Sequence, residues 1–325
     1  MIPFWKNLFK KDSPRPDSTR QMPEMDLPLA PLTEPADADC TVVRDPASVF
    51  GDGLDDATQT LAVPLMDQEP DNAGQSIETR QTEVASYTSV GTRRNQQDSV
   101  CFDGSDDRTV CVLCDGMGGL EGGELASALA AQGVTQHLMD TASEDIPTEM
   151  GRAALRVNGE VRQLRDGQGR PLEAGTTLTV VFIRDRQLYW SNVGDSHIYL
   201  WRAGELQQLN LDHNLGVRLD QMVQEGTLSP AEAQCHPQRA ALTSYLGIPE
   251  LSLIGGNRNP MELQPGDILV QCSDGLYRCL SDERLAQMLG QEQDLLALAK
   301  KLVDTALLVP GSHDNTTVVL TRIKG

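Results

Sequence analysis

Five aspartates stand at the ends of apolar runs in five separate stretches of the 325-residue chain. Asp98 closes "RRNQQD" just before "SVCF", and Asp115 ends "VCVLC" and is followed by Gly116. Asp195 lies in "NVGDSH", Asp274 in "ILVQCSDG" and Asp314 in "HDNTTVVL". Any one of them alone reads as a turn or cap residue, for which aspartate is common. Capping alone does not explain five. Carboxylates brought together repel, and one or more must protonate unless cations neutralise them. Oxygen ligands without histidine or thiolate at matching positions select hard ions, Mg²⁺ or Mn²⁺, over zinc. Glycine at 116 lets the backbone come close enough for its carbonyl to join the set. A two-ion centre fits this chemistry, with the ions about 3.5–4 Å apart and bridged by a hydroxide.

Such side chains meet only if strands and turns carry them to one place. Strand-like runs separated by turn signals are "EVASYTSVG", "DSVCFD", "TVCVLCDG", "TTLTVVFI", "QLYWSNVG", "SHIYLWRAG", "GDILVQCSDG" and "NTTVVLTRI". Tight turns such as "RDRQ" and "NVGD" join some of them directly, which predicts antiparallel sheet rather than βαβ winding. Helical blocks are expected at 122–142, 149–166, 282–289 and 294–307. The last carries Leu295, Leu298, Ala299 and Leu302 at helical spacing, while Leu155, Gly159 and Arg162 give the second a poorer apolar face. Helices grouped around many antiparallel strands predict an α+β sandwich.

A net charge of -20 argues against nucleic-acid binding, because phosphate backbones need Lys and Arg. Partners should be cationic, or metals should come between. Seven cysteines form an odd set without the spacing of a secreted disulfide framework, so a reducing cytoplasm is expected. Cys111 and Cys114 make a CxxC, but their offset in a strand sends them to opposite faces, as core residues rather than metal ligands. No run of about 18 apolar residues is present. Residues 12–78 are proline-rich and acidic with no sustained period, and read as a disordered tether. Before them, "MIPFWKNLFKK" places Trp5, Leu8 and Phe9 on one helical face beside lysines, and reads either as a frayed tail or as a docking peg for a partner or the membrane surface.

In order, "RRNQQD", "DGMGGLEGGELAS", "GTTLTVV", "VGDSHIY", "LTSYLG", "LVQCSDGL" and "HDNTTVVL" resemble the successive motifs of the metal-dependent protein phosphatases (PPM, the protein phosphatase 2C type) in their bacterial form. The resemblance runs from about Thr82 to Ile323, giving a tether over 1–80 and a PPM-type domain over 81–325. It implies a central antiparallel β-sandwich flanked by helices on both faces, with the metal centre at one end. It also implies hydrolysis of phosphoserine and phosphothreonine in proteins, with two Mn²⁺ or Mg²⁺ ions as cofactors. Phosphorylated proteins and a cognate Ser/Thr kinase would be the partners. A non-catalytic phosphoprotein-binding scaffold of the same fold is the alternative.

By the same resemblance Asp115 would bridge the two ions, with the Gly116 carbonyl a ligand of the second. Asp274 and Asp314 would complete the first site, and Asp98 would hold the second through water. Asp195 would help bind a third, weaker ion. Counting back from Asp98, Arg93 is the phosphate clamp, with Arg94 an open alternative because "NQQD" departs from the family's pattern and puts neutral Gln97 at an acidic position. Met117 stands where many eukaryotic members carry a histidine, and His197 replaces the usual arginine after "GDS". Residues 214–247 resemble the family's flap, expected to bear on substrate selection.

Overall fold

Alternation along the strands decides the layering. In β4 (Arg108–Gly118), Val110, Val112 and Cys114 pack on one side, and Cys111 and Leu113 on the other. The computed structural model describes residues 72–118, 122–291, 293–311 and 314–325, all within one compact unit, Asp39–Gly325. The docking start at 1–11 and the tether up to residue 71 lie outside the described residues.

Two antiparallel sheets stack. One has the order β1-β2-β13-β12-β8-β9, from Asn72–Glu78, Thr82–Ser89, Thr316–Ile323, Ile268–Cys272, His197–Arg202 and Glu205–Gln208. The other runs β10-β7-β6-β4-β3, from Gly255–Gly256, Gln187–Val193, Leu178–Arg184, β4 and Asp98–Gly104. Short β11 (Met261–Glu262) pairs with β7, and β5 (Ala174–Thr176) with β4. Between the sheets Val84, Leu113, Val181, Trp190, Ile198, Leu269 and Val319 form an apolar core. The β6–β7 hairpin turns through Asp185 and Arg186, both at positive φ, as the two-residue turns that match strand twist require.

Helices cover both outer faces. α1 (Gly122–Asp140) and α2 (Ile146–Arg162) bury Ala130, Val134, Met150 and Val157 against Val112 and Phe182. The buried stripe of α2 is Met150, Ala153, Ala154, Val157 and Val161, not the face of Leu155, Gly159 and Arg162 read from the sequence. On the opposite side α5 (Asp274–Tyr277), α6 (Asp282–Leu289) and α7 (Leu295–Leu307) cover Val270, Val318 and Leu320. α3 (Leu215–Gln224) and α4 (Pro230–Gln234) lie in the flap-like segment. The α+β sandwich with helices on both faces is thus the observed fold. Asp294 starts α7 by accepting from Ala297 N–H at 2.7 Å, and Asp145 starts α2 through Thr148 N–H at 3.3 Å.

One strand lies where irregular tether was expected. β1 pairs with β2 over its whole length, Asn72 with Ser89 through Glu78 with Glu83. Only Ala73 and Ile77 are half-buried, so a backbone ladder rather than a burial pattern holds the strand. The CxxC reading stands: Cys111 sits between the sheets and Cys114 under the helices, and burial pushes both thiols up, Cys111 to about 12. No helix among the described residues is long and apolar enough to cross a membrane.

Candidate metal centre

Asp115 continues the face of Cys111 and Leu113 to the end of the sandwich, where its main chain is pinned. Its N–H donates to Thr177 Oγ1 at 2.9 Å, and its carbonyl accepts from Thr177 N–H at 2.9 Å and from Thr176 Oγ1 at 3.0 Å. Across the β3–β4 ladder its partner is Asp98. At Gly116 a Cβ would run into the backbone oxygens of Gly123 and Gln97, the latter at 2.6 Å. Only glycine lets α1 begin this close to the strand.

The other aspartates arrive from different elements. Asp195 follows Gly194, whose φ of 99° makes the tight turn between β7 and β8. Buried His213 fixes that turn, its Nδ1 accepting from Gly194 N–H at 3.2 Å. Asp274 opens α5, and a Cβ on Gly275 would meet Asn315 O and Thr316 Oγ1, the latter at 2.7 Å. Asp314 precedes β13 and binds Arg93, Nη2 to Oδ2 at 2.6 Å.

A cleft of about 330 Å³ collects these groups: Arg93, Gln97, Asp115, Gly116, Met117, Asp195, Asp274, Arg278, Asp314 and Asn315 line it, with Ala240 and Leu242 from the flap-like segment. Arg94 is exposed and is not among the lining residues. Asp98 lies behind the wall, its Oδ2 accepting from Ser273 Oγ at 2.7 Å while buried Oδ1 has no hydrogen-bond partner. His197 makes no contact with the cleft; it is buried, stacked on Tyr277 at 3.7 Å.

The carboxylates raise one another's proton affinity. Burial, and then repulsion by Asp98, Asp274, Asp314 and Asp195, holds the Asp115 carboxyl well above its ordinary range. Asp98 is pushed up to about 7, chiefly by burial, against hydrogen bonds from Thr317 and Ser273 that favour its charged form. Asp195 is pushed up to about 6 by burial and by Asp274, with Arg278 opposing. Asp274 is also raised by burial, with Arg278 and Arg93 opposing.

Repelling carboxylates of this kind are what a bound cation neutralises. Among the described residues no three His, Cys, Asp or Glu side chains close into a cage on their own. The donors are carboxylate and backbone oxygens lining an open cleft, a set that suits ions retaining several waters. The orphaned Asp98 oxygen and the mutually repelling carboxylates fit divalent cations.

Several residues that build the site carry no chemical signature in the sequence. Asn315 ties the 90–97 loop to β13: its Nδ2 donates to Val90 O at 3.0 Å and Asn95 O at 3.1 Å, and its Oδ1 accepts from Gln97 N–H at 2.9 Å. Ser273 joins Asp98 to Thr317 N–H. Both sit beside aspartates in the quoted motifs, and that adjacency was the available signal. Arg278, four residues after Asp274, had only its helical spacing, and His213 had none.

Residues 89–307 match the sequence profile of the family described as Protein phosphatase 2C. Protein phosphatase PhpP of Streptococcus pneumoniae is 33% identical over 244 residues, covering 73% of this chain and 96% of that protein. A serine/threonine phosphatase of S. agalactiae superposes with a TM-score of 0.66 at 29% identity, over 75% of this chain and 100% of that one. The catalytic domain of serine/threonine protein phosphatase PstP in complex with two manganese ions superposes with a TM-score of 0.62 at 29% identity, over 75% of this chain and 99% of that one. The chain belongs to the protein phosphatase 2C family.

Proposed function

We infer that this protein hydrolyses phosphoserine and phosphothreonine in proteins with the help of divalent cations, and so reverses the work of a Ser/Thr kinase. The observation that carries the reading is the meeting of Asp115, Asp195, Asp274 and Asp314 with Arg93 in one open cleft, backed by Asp98. In this reading Asp115, Asp274 and Asp314 hold the first of two ions, and Asp115, the Gly116 carbonyl and Asp98 hold the second, Mn²⁺ or Mg²⁺ filling either.

When bound, such ions lower the pKa of water and offset charge on phosphoryl oxygens. The chain's own residues place the substrate around that chemistry. Arg93, ion-paired with Asp314 in the cleft, has a planar fork of donors suited to two parallel hydrogen bonds to the phosphate. Thr176 and Thr177 keep Asp115 from shifting. Met117 in the cleft wall offers no proton, so the leaving alkoxide takes its proton from solvent within the cleft. Ala240 and Leu242 form the rim of the cleft on the flap side.

The test is phosphate release from a phosphothreonine peptide by the full chain with Mn²⁺, with EDTA, and with Asp274→Ala. Release that requires Mn²⁺ and is lost in the variant is expected. A folded, Mn²⁺-binding protein that releases nothing from several peptides would overturn catalysis in favour of a phosphoprotein-binding scaffold.

A further inference from the structure

Arg278 reaches two cleft carboxylates with one nitrogen. Its Nη2 lies 3.1 Å from Asp274 Oδ2 and 3.9 Å from Asp195 Oδ2. The backbone sets this placement: Arg278 N–H donates to Asp274 O at 3.1 Å, and the i,i+4 offset returns the side chain over the aspartate that opens the turn. Arg278, Asp195 and Ala240 also border a second cleft of about 320 Å³ that continues past Asp212, Asp220 and Tyr277.

The acidic groups on that wall already have partners. Asp212 accepts from Asn214 Nδ2 at 3.2 Å and from Gln208 Nε2 at 3.3 Å, and Asp220 takes a fork from Arg239 at 2.6 and 2.9 Å. Asp195 and Asp274 are thus the carboxylates left to share a third ion, and the guanidinium stands between them.

We propose that Arg278 is a built-in cation in the place of the third ion that the family resemblance implies at Asp195, so that the protein takes two divalent ions and no third. A hard cation needs several oxygens at about 2.0–2.6 Å, and each of the two carboxylates here turns its Oδ2 to the guanidinium. Arginine keeps its charge at every working pH, so an incoming divalent ion meets a fixed like charge already seated on two largely buried carboxylates. The positive charge beside Asp195 then does not depend on ion supply. The proposal rests on reading the main cleft as a divalent-ion centre.

The test counts Mn²⁺ bound per full chain, by calorimetric titration and by electron paramagnetic resonance of free Mn²⁺, for the wild type, Arg278→Asp and Arg278→Gln. Circular dichroism checks that each is folded. Two ions are expected in the wild type and three in Arg278→Asp, the third at least tenfold tighter than in Arg278→Gln. Three ions in the wild type would overturn the proposal, as would two ions in a folded Arg278→Asp. Should Arg278→Asp not fold, a third ion in Arg278→Gln supports the proposal and its absence overturns it. No ion bound by the wild type would sink the divalent-centre reading itself, an outcome distinct from two ions in every protein.

Discussion

Asp98 and Asp115 stand directly opposite each other across the antiparallel β3–β4 pair. Like charges in that relation destabilise a sheet, and burial here removes much of water's screening. Asp98→Asn deletes one charge and keeps an oxygen for Ser273. In EDTA at pH 7.5 its melting temperature is expected to rise by several degrees, on the order of 1–2 kcal/mol. With Mn²⁺ its phosphate release is expected to fall about 10–100-fold. A lower melting temperature in EDTA would show that the pair is not repulsive.

Arg93 lines the cleft and Arg94 does not, so the two neighbours should separate in kinetics. Arg93→Ala is expected to lower kcat/KM for a phosphopeptide by at least about 100-fold, equivalent to about 2.7 kcal/mol of transition-state stabilisation. Arg94→Ala should stay within about twofold of the wild type. The reverse ranking would move the clamp to Arg94.

Asn315 contacts no substrate in this reading, yet it holds the loop that carries Arg93. Asn315→Ala removes one donor from each of the Val90 and Asn95 carbonyls and the acceptor of the Gln97 N–H. Such losses cost about 1–3 kcal/mol where the groups stay buried. Weaker Mn²⁺ affinity and about 10–100-fold lower activity are expected, with most of the loss recovered at high Mn²⁺ if positioning is the cause. Activity equal to the wild type at limiting Mn²⁺ would remove Asn315 from the positioning network.

Burial pushes the His213 imidazole down from 6.5 to about 4 while its Nδ1 accepts from Gly194 N–H. Between those values the unfolded chain binds the proton and the folded chain does not. The stability that His213 contributes is therefore intact above about 6.5 and is lost as pH falls toward 4. The gap corresponds to at most about 3 kcal/mol. His213→Asn keeps an acceptor without a titrating group, so its advantage over the wild type in urea melts should grow between pH 7 and pH 4.5. A difference independent of pH would mean that the imidazole protonates freely in the folded protein.

Local chemistry was legible in the sequence. A period of two assigned Cys111 and Cys114 to opposite faces and put Asp115 at a strand end, because side-chain direction in a strand depends only on neighbours. The aspartates announced an oxygen-rich site because each sits where an apolar run stops. β1 stayed hidden because a backbone ladder in seven-residue register with β2 holds it, which leaves no apolar pattern in "NAGQSIE". Tertiary structure alone decided that Arg93 rather than Arg94 faces the cleft, that Asn315 and Ser273 tie the loops together, and that Arg278 stands between Asp195 and Asp274. These are contacts between segments from 93 to 315, set by sheet order and by the packing of two sheets. Such long-range proximity depends on the whole core, and no single stretch of sequence encodes it.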